Sequence, residues 1–231
     1  MKIEEIVGII IQVISVPTSI YGFITLVLQS ISWWKRRQTR SLVLSDKRDW
    51  AIITPRYSNN FQRKEDILAT IKIRDWCTSL GIECTIQDDH DPIPQGKNLF
   101  FICGEKANKR VSKFYKGFNL QIQQSNGVFV IRDTLRQMNI CSQMDAQNSS
   151  RGDYAILSRR IDPISGQIYY FCIGIHGHGT LGAAHMLTTG LTSAITRRIP
   201  KAKNFESIVS VPYIDDYCSI ANLDFALLPR Q

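Results

Sequence analysis

Charge is missing from one long stretch of this chain: between Glu5 and Lys35 no residue carries any. That speaks against a buried helix of a soluble core, for which the 29 uncharged residues from Ile6 to Trp34 are too many. Residues 6–34 are long enough to cross a bilayer core, for which a helix needs ~20 residues. The basic start and short apolar core of a secretory signal are also absent, since Glu4 and Glu5 precede the run. Pro17 is tolerated in a membrane helix, where it kinks the axis. A hairpin turning at Pro17-Thr18-Ser19 is the alternative, with each half short for a crossing.

Paired cysteines are missing too. Cys77, Cys84, Cys103, Cys141, Cys172 and Cys218 include no C-x-x-C, so a zinc or dithiol redox site of that kind is excluded. Several fall within apolar strand patterns, where a thiol acts as a small hydrophobe. Free thiols suit a reducing compartment. Low-complexity tracts and internal repeats are absent. The glycine-rich segment closes without the Lys-Ser/Thr pair of a P-loop and lacks the dinucleotide spacing.

What is present gives direction to the uncharged run. Lys35, Arg36, Arg37, Arg40, Lys47 and Arg48 follow it, with only Asp46 against them. Basic flanks stay cytoplasmic, and Trp33 and Trp34 stand where an interfacial aromatic belt belongs. Three units are expected: a transmembrane helix over 1–34, a basic juxtamembrane linker over 35–48, and a cytoplasmic α/β ligand-sensing domain over 49–231. This makes a single-pass protein of the cell inner membrane. Of the formal charge of +8, residues 35–48 supply +5, which suits anionic lipid headgroups and speaks against a long nucleic acid as partner.

Gly8, Gln12, Ser15, Ser19, Gly22, Thr25, Gln29 and Ser32 follow steps of three and four, so they share one helical face. Small and hydrogen-bonding side chains on one face let membrane helices pack. Self-association into a dimer or tetramer is expected, with a conducting path as one outcome.

From Trp50 the pattern alternates. Strands are predicted at 51–54, 82–87, 98–104, 120–123, 128–131, 153–158, 167–175 and 207–213. Helices are predicted at 61–80, 105–116 and 181–195, and a long polar loop at 133–152. This order predicts an α/β fold with a Rossmann-like, mostly parallel mixed sheet and flanking helices. The turn Asp162-Pro163-Ile164-Ser165-Gly166 predicts an antiparallel hairpin.

Ligands of open α/β sheets bind beyond the carboxyl ends of the strands. Three loops qualify here. The segment Gly174 to Gly182 places His176, Gly177, His178, Gly179 and Thr180 between a strand and a helix. Glycines permit close approach of backbone, and free N–H groups at a helix start favour anions. The second loop offers Thr54, Arg56, Tyr57 and Ser58. The third offers Gly104, Lys106, Asn108, Lys109 and Arg110. Together they suit a multiply charged phosphate ligand, with Tyr57 or a histidine to stack on a base. The competing reading of the glycine segment is a tight, closely packed turn. His176, His178 and His185 have no nearby cysteine or carboxylate in sequence to complete a metal set, so no metal and no cofactor is expected. No nucleophile–base pairing is recognisable, so no catalytic residue is assigned. Asp88, Asp89, Asp153 and Asp162 are the carboxylates that an enzyme reading would use.

The elements Leu99–Gly104 and Ile173–Gly182, with Gly177-His178-Gly179-Thr180, resemble the nucleotide-sensing CRISPR-associated Rossmann fold domains of prokaryotic antiviral systems. The resemblance spans roughly residues 49–195. It implies a non-enzymatic membrane effector that binds a cyclic nucleotide or cyclic oligoadenylate and disrupts the membrane. A membrane-anchored nucleotide-processing enzyme and an oligomeric membrane scaffold are the alternatives.

Overall fold

A computed structural model describes residues 20–31, 33, 49–56, 63–145, 152–190, 204–214, 217–218 and 222–224. The linker 35–48 lies outside these, as do Gly8, Gln12, Ser15, Ser19 and Ser32 of the polar stripe. Gly22, Thr25 and Gln29 fall on helix α1 (residues 20–31). The apolar side chains of α1 point outward, with Phe23 68% and Leu26 63% exposed. Among the described residues no helix is long and apolar enough to cross a membrane.

The body is built on a mixed sheet. Its six main strands are β1 (Trp50–Thr54), β2 (Cys84–Asp88), β3 (Asn98–Ile102), β7 (Gly152–Ile161), β8 (Ile168–Gly174) and β9 (Phe205–Ile214). They stand in the order β9-β7-β8-β3-β1-β2, and short strands β10 (Tyr217–Cys218) and β11 (Asn222–Asp224) add to β9. β2, β1, β3 and β8 are mutually parallel, while β7 runs against both β8 and β9. The predicted antiparallel hairpin is therefore present, as β7–β8. β1 and β3 are buried along their whole length, as expected for parallel strands covered on both faces.

Helices α2 (Lys64–Ser79) and α4 (Gly177–His185) cover one face. Ala69, Ile73, Cys77, Ala183 and Ala184 pack there on Trp50, Ile52, Phe100 and Tyr170. The other face is covered by one-turn helix α3 (Val111–Phe114) and an antiparallel meander of β4 (Leu120–Ser125), β5 (Val128–Asp133) and β6 (Met138–Cys141). Val111, Phe118, Leu120 and Ile131 pack there on Phe101, Ile156 and Phe171.

Three expectations are corrected. The helix predicted over 105–116 is a string of turns with only Val111–Phe114 helical. The Asn108 side chain binds backbone carbonyls of two strands, and such bonding competes with helix. The loop predicted over 133–152 contains β6, which shows only Ile140 partly buried among exposed neighbours. One inward residue leaves no alternation to read. The predicted helix 181–195 begins earlier, at Gly177, and gives way to a π-helical turn at Met186–Gly190; residues 191–195 lie outside the described residues.

Candidate functional site at the carboxyl edge

Because β8, β3 and β1 are adjacent and parallel, the loops leaving their carboxyl ends open side by side. This brings together Thr54 and Arg56, the stretch Gly104 to Arg110, and His176 to Thr180. Tyr57 and Ser58 lie outside the described residues. Strand order reverses between β1 and β3, the switch point where such sheets take ligands.

Asn108 occupies that switch point. It is fully buried. Its amide donates at 3.0 Å to Ile53 O and Ile102 O, and its carbonyl accepts from Arg110 N at 3.1 Å. The side chain thus ties β1 to β3. Three of the predicted cations, Arg56, Lys109 and Arg110, are drawn sideways, to the acidic turn after β2. Arg110 donates through Nε to Asp89 O at 2.8 Å, and through its guanidinium to His90 O at 3.2 Å and Asp91 O at 2.8 Å. Arg56 pairs with Asp88 at 3.3 Å. Lys109 Nζ lies 3.2 Å from His90 Nε2, and Lys106 Nζ sits 3.9 Å over the Phe129 ring. Asp89, only 2% exposed, accepts from Arg56 N at 2.9 Å and Lys109 N at 2.7 Å. One buried carboxylate therefore sets the course of two loops. Asp88, Asp89 and His90 are also the one cluster of possible metal ligands among the described residues. Asp89 is already committed to backbone donors, and neither His176 nor His178 belongs to that cluster.

The glycine turn is shaped by packing. A Cβ on Gly174 would fall 2.2 Å from His176 O and from Thr180 N. On Gly179 it would fall 2.6 Å from Tyr154 O, and on Gly182 2.3 Å from a Val211 methyl. Real side chains do not fit at these distances. The start of α4, expected to offer N–H groups to an anion, is already served from within. Asp153, 1% exposed, accepts from His176 N at 3.1 Å and Gly179 N at 2.6 Å. Thr180 Oγ1 accepts from Gly174 N at 3.1 Å. The competing reading of this segment therefore has direct geometric support. His176 turns its ring to Asp145, with Nε2 2.9 Å from Oδ2, fastening the segment after β6 to the same edge.

A contact without any sequence signal lies between these loops. Cys103 ends β3 with a left-handed backbone (φ 68). Its Sγ donates to Asp66 Oδ1 at 2.8 Å and lies 3.8 Å from Thr180 Oγ1. Asp66 stands in the first turn of α2, where the helix dipole favours a carboxylate. Asp66, Cys103 and Thr180 come from three elements and are all buried.

No protein-family model matches the chain, and no curated protein or solved structure matches it. The α/β fold is given by its largely parallel sheet, and the site by its own geometry.

Sequence reasoning missed Asp66, Asp89 and Asp153 as organisers of this edge. Asp153 is 23 residues from His176 and Asp66 is 37 from Cys103, so neither shows in local spacing. The available signal was an acidic residue placed inside, or next to, an otherwise apolar pattern, as Asp153 is at the start of a strand.

Proposed function

We propose that this chain is a membrane effector of a prokaryotic antiviral system. Its cytoplasmic Rossmann-like domain binds a cyclic nucleotide or cyclic oligonucleotide at the carboxyl edge. Binding shifts the arrangement of domains in a homo-oligomer, and the N-terminal helices respond by disrupting or depolarising the membrane. The observation that carries the reading is the meeting of three loops, rich in glycine, cations and histidine, at a switch point of a parallel sheet. With Arg110 and the start of α4 engaged internally, this reading gives a phosphate, among the described residues, the Arg56 head, half exposed, and Lys109. Their present partners, Asp88 and His90, are exchangeable surface contacts. The ligand competes with Asp88 for Arg56, and such a change at one site biases the equilibrium between two arrangements.

A second reading, a nucleotide-processing enzyme, takes its support from the buried Cys103–Asp66 contact at 2.8 Å. One experiment separates the two. Full-length protein in vesicles is mixed with a panel of cyclic oligonucleotides, and thermal shift, dye leakage and ligand integrity are followed. The effector gives a shift and leakage with the ligand intact. Arg56→Glu abolishes both responses and leaves the unfolding midpoint of the free protein near its original value. Ligand consumption that stops in Cys103→Ser establishes the enzyme. A panel without any thermal shift refutes nucleotide sensing.

A further inference from the structure

The amino edge of the sheet, opposite the candidate site, is where the chain enters from residues 35–48. Asp49 precedes β1, and its carbonyl accepts from Asn98 N at 2.9 Å at the head of β3. Two turns project from this same edge. One is the β7–β8 turn, tied to β3 by Gln167 Nε2 donating to Lys97 O at 3.0 Å. The other joins β5 to β6 and lies beside Asn119, whose backbone N–H binds Glu206 near the start of β9. The two turns share one construction. Asp162 Oδ1 accepts from Ile164 N and Ser165 N at 2.8 and 3.0 Å. Asp133 Oδ1 accepts from Leu135 N and Arg136 N, both at 3.0 Å. Each carboxylate fixes the residue two places on, and that residue is apolar and exposed: Ile164 at 97% and Leu135 at 50%. Ile164 is the most exposed large hydrophobic side chain among the described residues.

Cations surround these tips. Lys116 is exposed. Arg160 reaches the Lys116 carbonyl and lies over the Phe118 ring. Lys97 stands beside the β7–β8 turn, and Arg136, paired with Asp133 at 3.6 Å and half exposed, in the other turn. Among the described residues, Asp49 and Glu83 are the exposed acids of this edge, while Asp133 and Asp162 are spent on their turns. Residues 35–48, which precede Asp49 in sequence, add +5.

We infer that the amino edge is a lipid-facing surface: Ile164 and Leu135 insert among the headgroups of an anionic bilayer, and Lys97, Lys116, Arg136 and Arg160 contact the lipid phosphates. An apolar tip among cations is the combination that binds an interface of this chemistry. A tether ending at the same edge raises the effective concentration of lipid there, so weak contacts suffice. The contact would turn the candidate site away from the membrane, toward the cytoplasm. The inference rests on the anchored reading given above.

The test uses the full chain in vesicles of phosphatidylcholine with and without phosphatidylserine. A photo-crosslinking residue is introduced as Ile164→benzoylphenylalanine, with Met144→benzoylphenylalanine, on the segment tied to the carboxyl edge, as comparison. Irradiation is expected to give lipid adducts at 164 and none at 144. The yield falls several-fold without phosphatidylserine, and again in Lys97→Glu combined with Lys116→Glu. Because Ile164 packs on nothing, its replacement leaves the fold unchanged, and the unfolding midpoint verifies this. Flotation of the chain with vesicles after alkaline washing reports the anchor separately. Flotation without a lipid adduct at 164 overturns the inference and leaves the anchor standing. No flotation overturns both. Adducts to a second copy in place of lipid, or equal yields at 164 and 144, also overturn it.

Discussion

The two ends of the sheet use aspartate in opposite ways. At the carboxyl edge, Asp89 and Asp153 are buried and bind backbone N–H groups more than 15 residues distant in sequence, at Lys109 (20 apart) and Gly179 (26 apart). At the amino edge, Asp133 and Asp162 bind N–H groups two and three residues on. A buried long-range carboxylate is part of the fold, because its loss strands donors that no water can reach. A local carboxylate serves the donors of its own turn; Asp133 is buried while doing so, and Asp162, at the surface, leaves the body alone. The comparison separates an end whose geometry is stored in the core from an end that displays side chains outward.

Ranked by expected effect, the sharpest tests fall on the carboxyl edge. Gly174→Ala meets two backbone atoms at 2.2 Å, and backbone cannot step aside as a side chain can. It is expected to cost ~3 kcal/mol or more in chemical denaturation. Asp153→Ala strands the N–H groups of His176 and Gly179 and should cost ~2–4 kcal/mol. Restoring the carboxylate one methylene further out, as Asp153→Glu, will not rescue it, because Gly179 N approaches to 2.6 Å.

A third test falls on Glu206, near the start of β9. Burial raises the pKa of this carboxylate, against the lowering pull of its bonds from Leu120 and Asn119. The raised pKa means that the folded state holds the proton more tightly than the unfolded chain does. The stabilising contribution of this group is therefore greatest below the unfolded value of ~4.3 and declines as pH rises through the folded value. Melting curves across this range should show the decline in the native chain and a flatter profile in Glu206→Gln.

The smallest effect belongs to Asp162. Its two backbone donors and Tyr169 hold its pKa below the usual carboxylate range, so its contribution is present above ~3.9 and lost as pH falls through the lower folded value. The group lies at the surface, and Asp162→Ala should leave the unfolding midpoint almost unchanged while loosening Ile164, seen as faster amide exchange at 164 and 165. A large drop in that midpoint would erase the distinction between the two ends.

Much of this architecture was legible before any coordinates. The apolar run Leu99-Phe100-Phe101-Ile102 and the strand Ile168–Gly174 read as buried strands because they pack on both faces, and Asp162 to Gly166 read as a hairpin turn. The three loops of the site followed from strand order alone. Their internal economy did not. Asn108 and Arg110 read as ligand contacts because exposed and buried polar residues look alike in a sequence. Only the positions of Ile53 O, Ile102 O and the 89–91 carbonyls show that both serve the fold. Cys103 read as a small hydrophobe, and its carboxylate neighbour comes from helix α2, 37 residues away in sequence.

Strand β1 carries one further consequence. It is five residues long, shielded on both faces, and clamped between two parallel neighbours. Such a segment neither stretches nor buckles, so Thr54 and Asp49 behave as two ends of a stiff rod of about 17 Å. A message arriving at one end is then transmitted as tilt or translation of the whole body, and the length of that lever, rather than any local softness, sets how far the entering chain is moved.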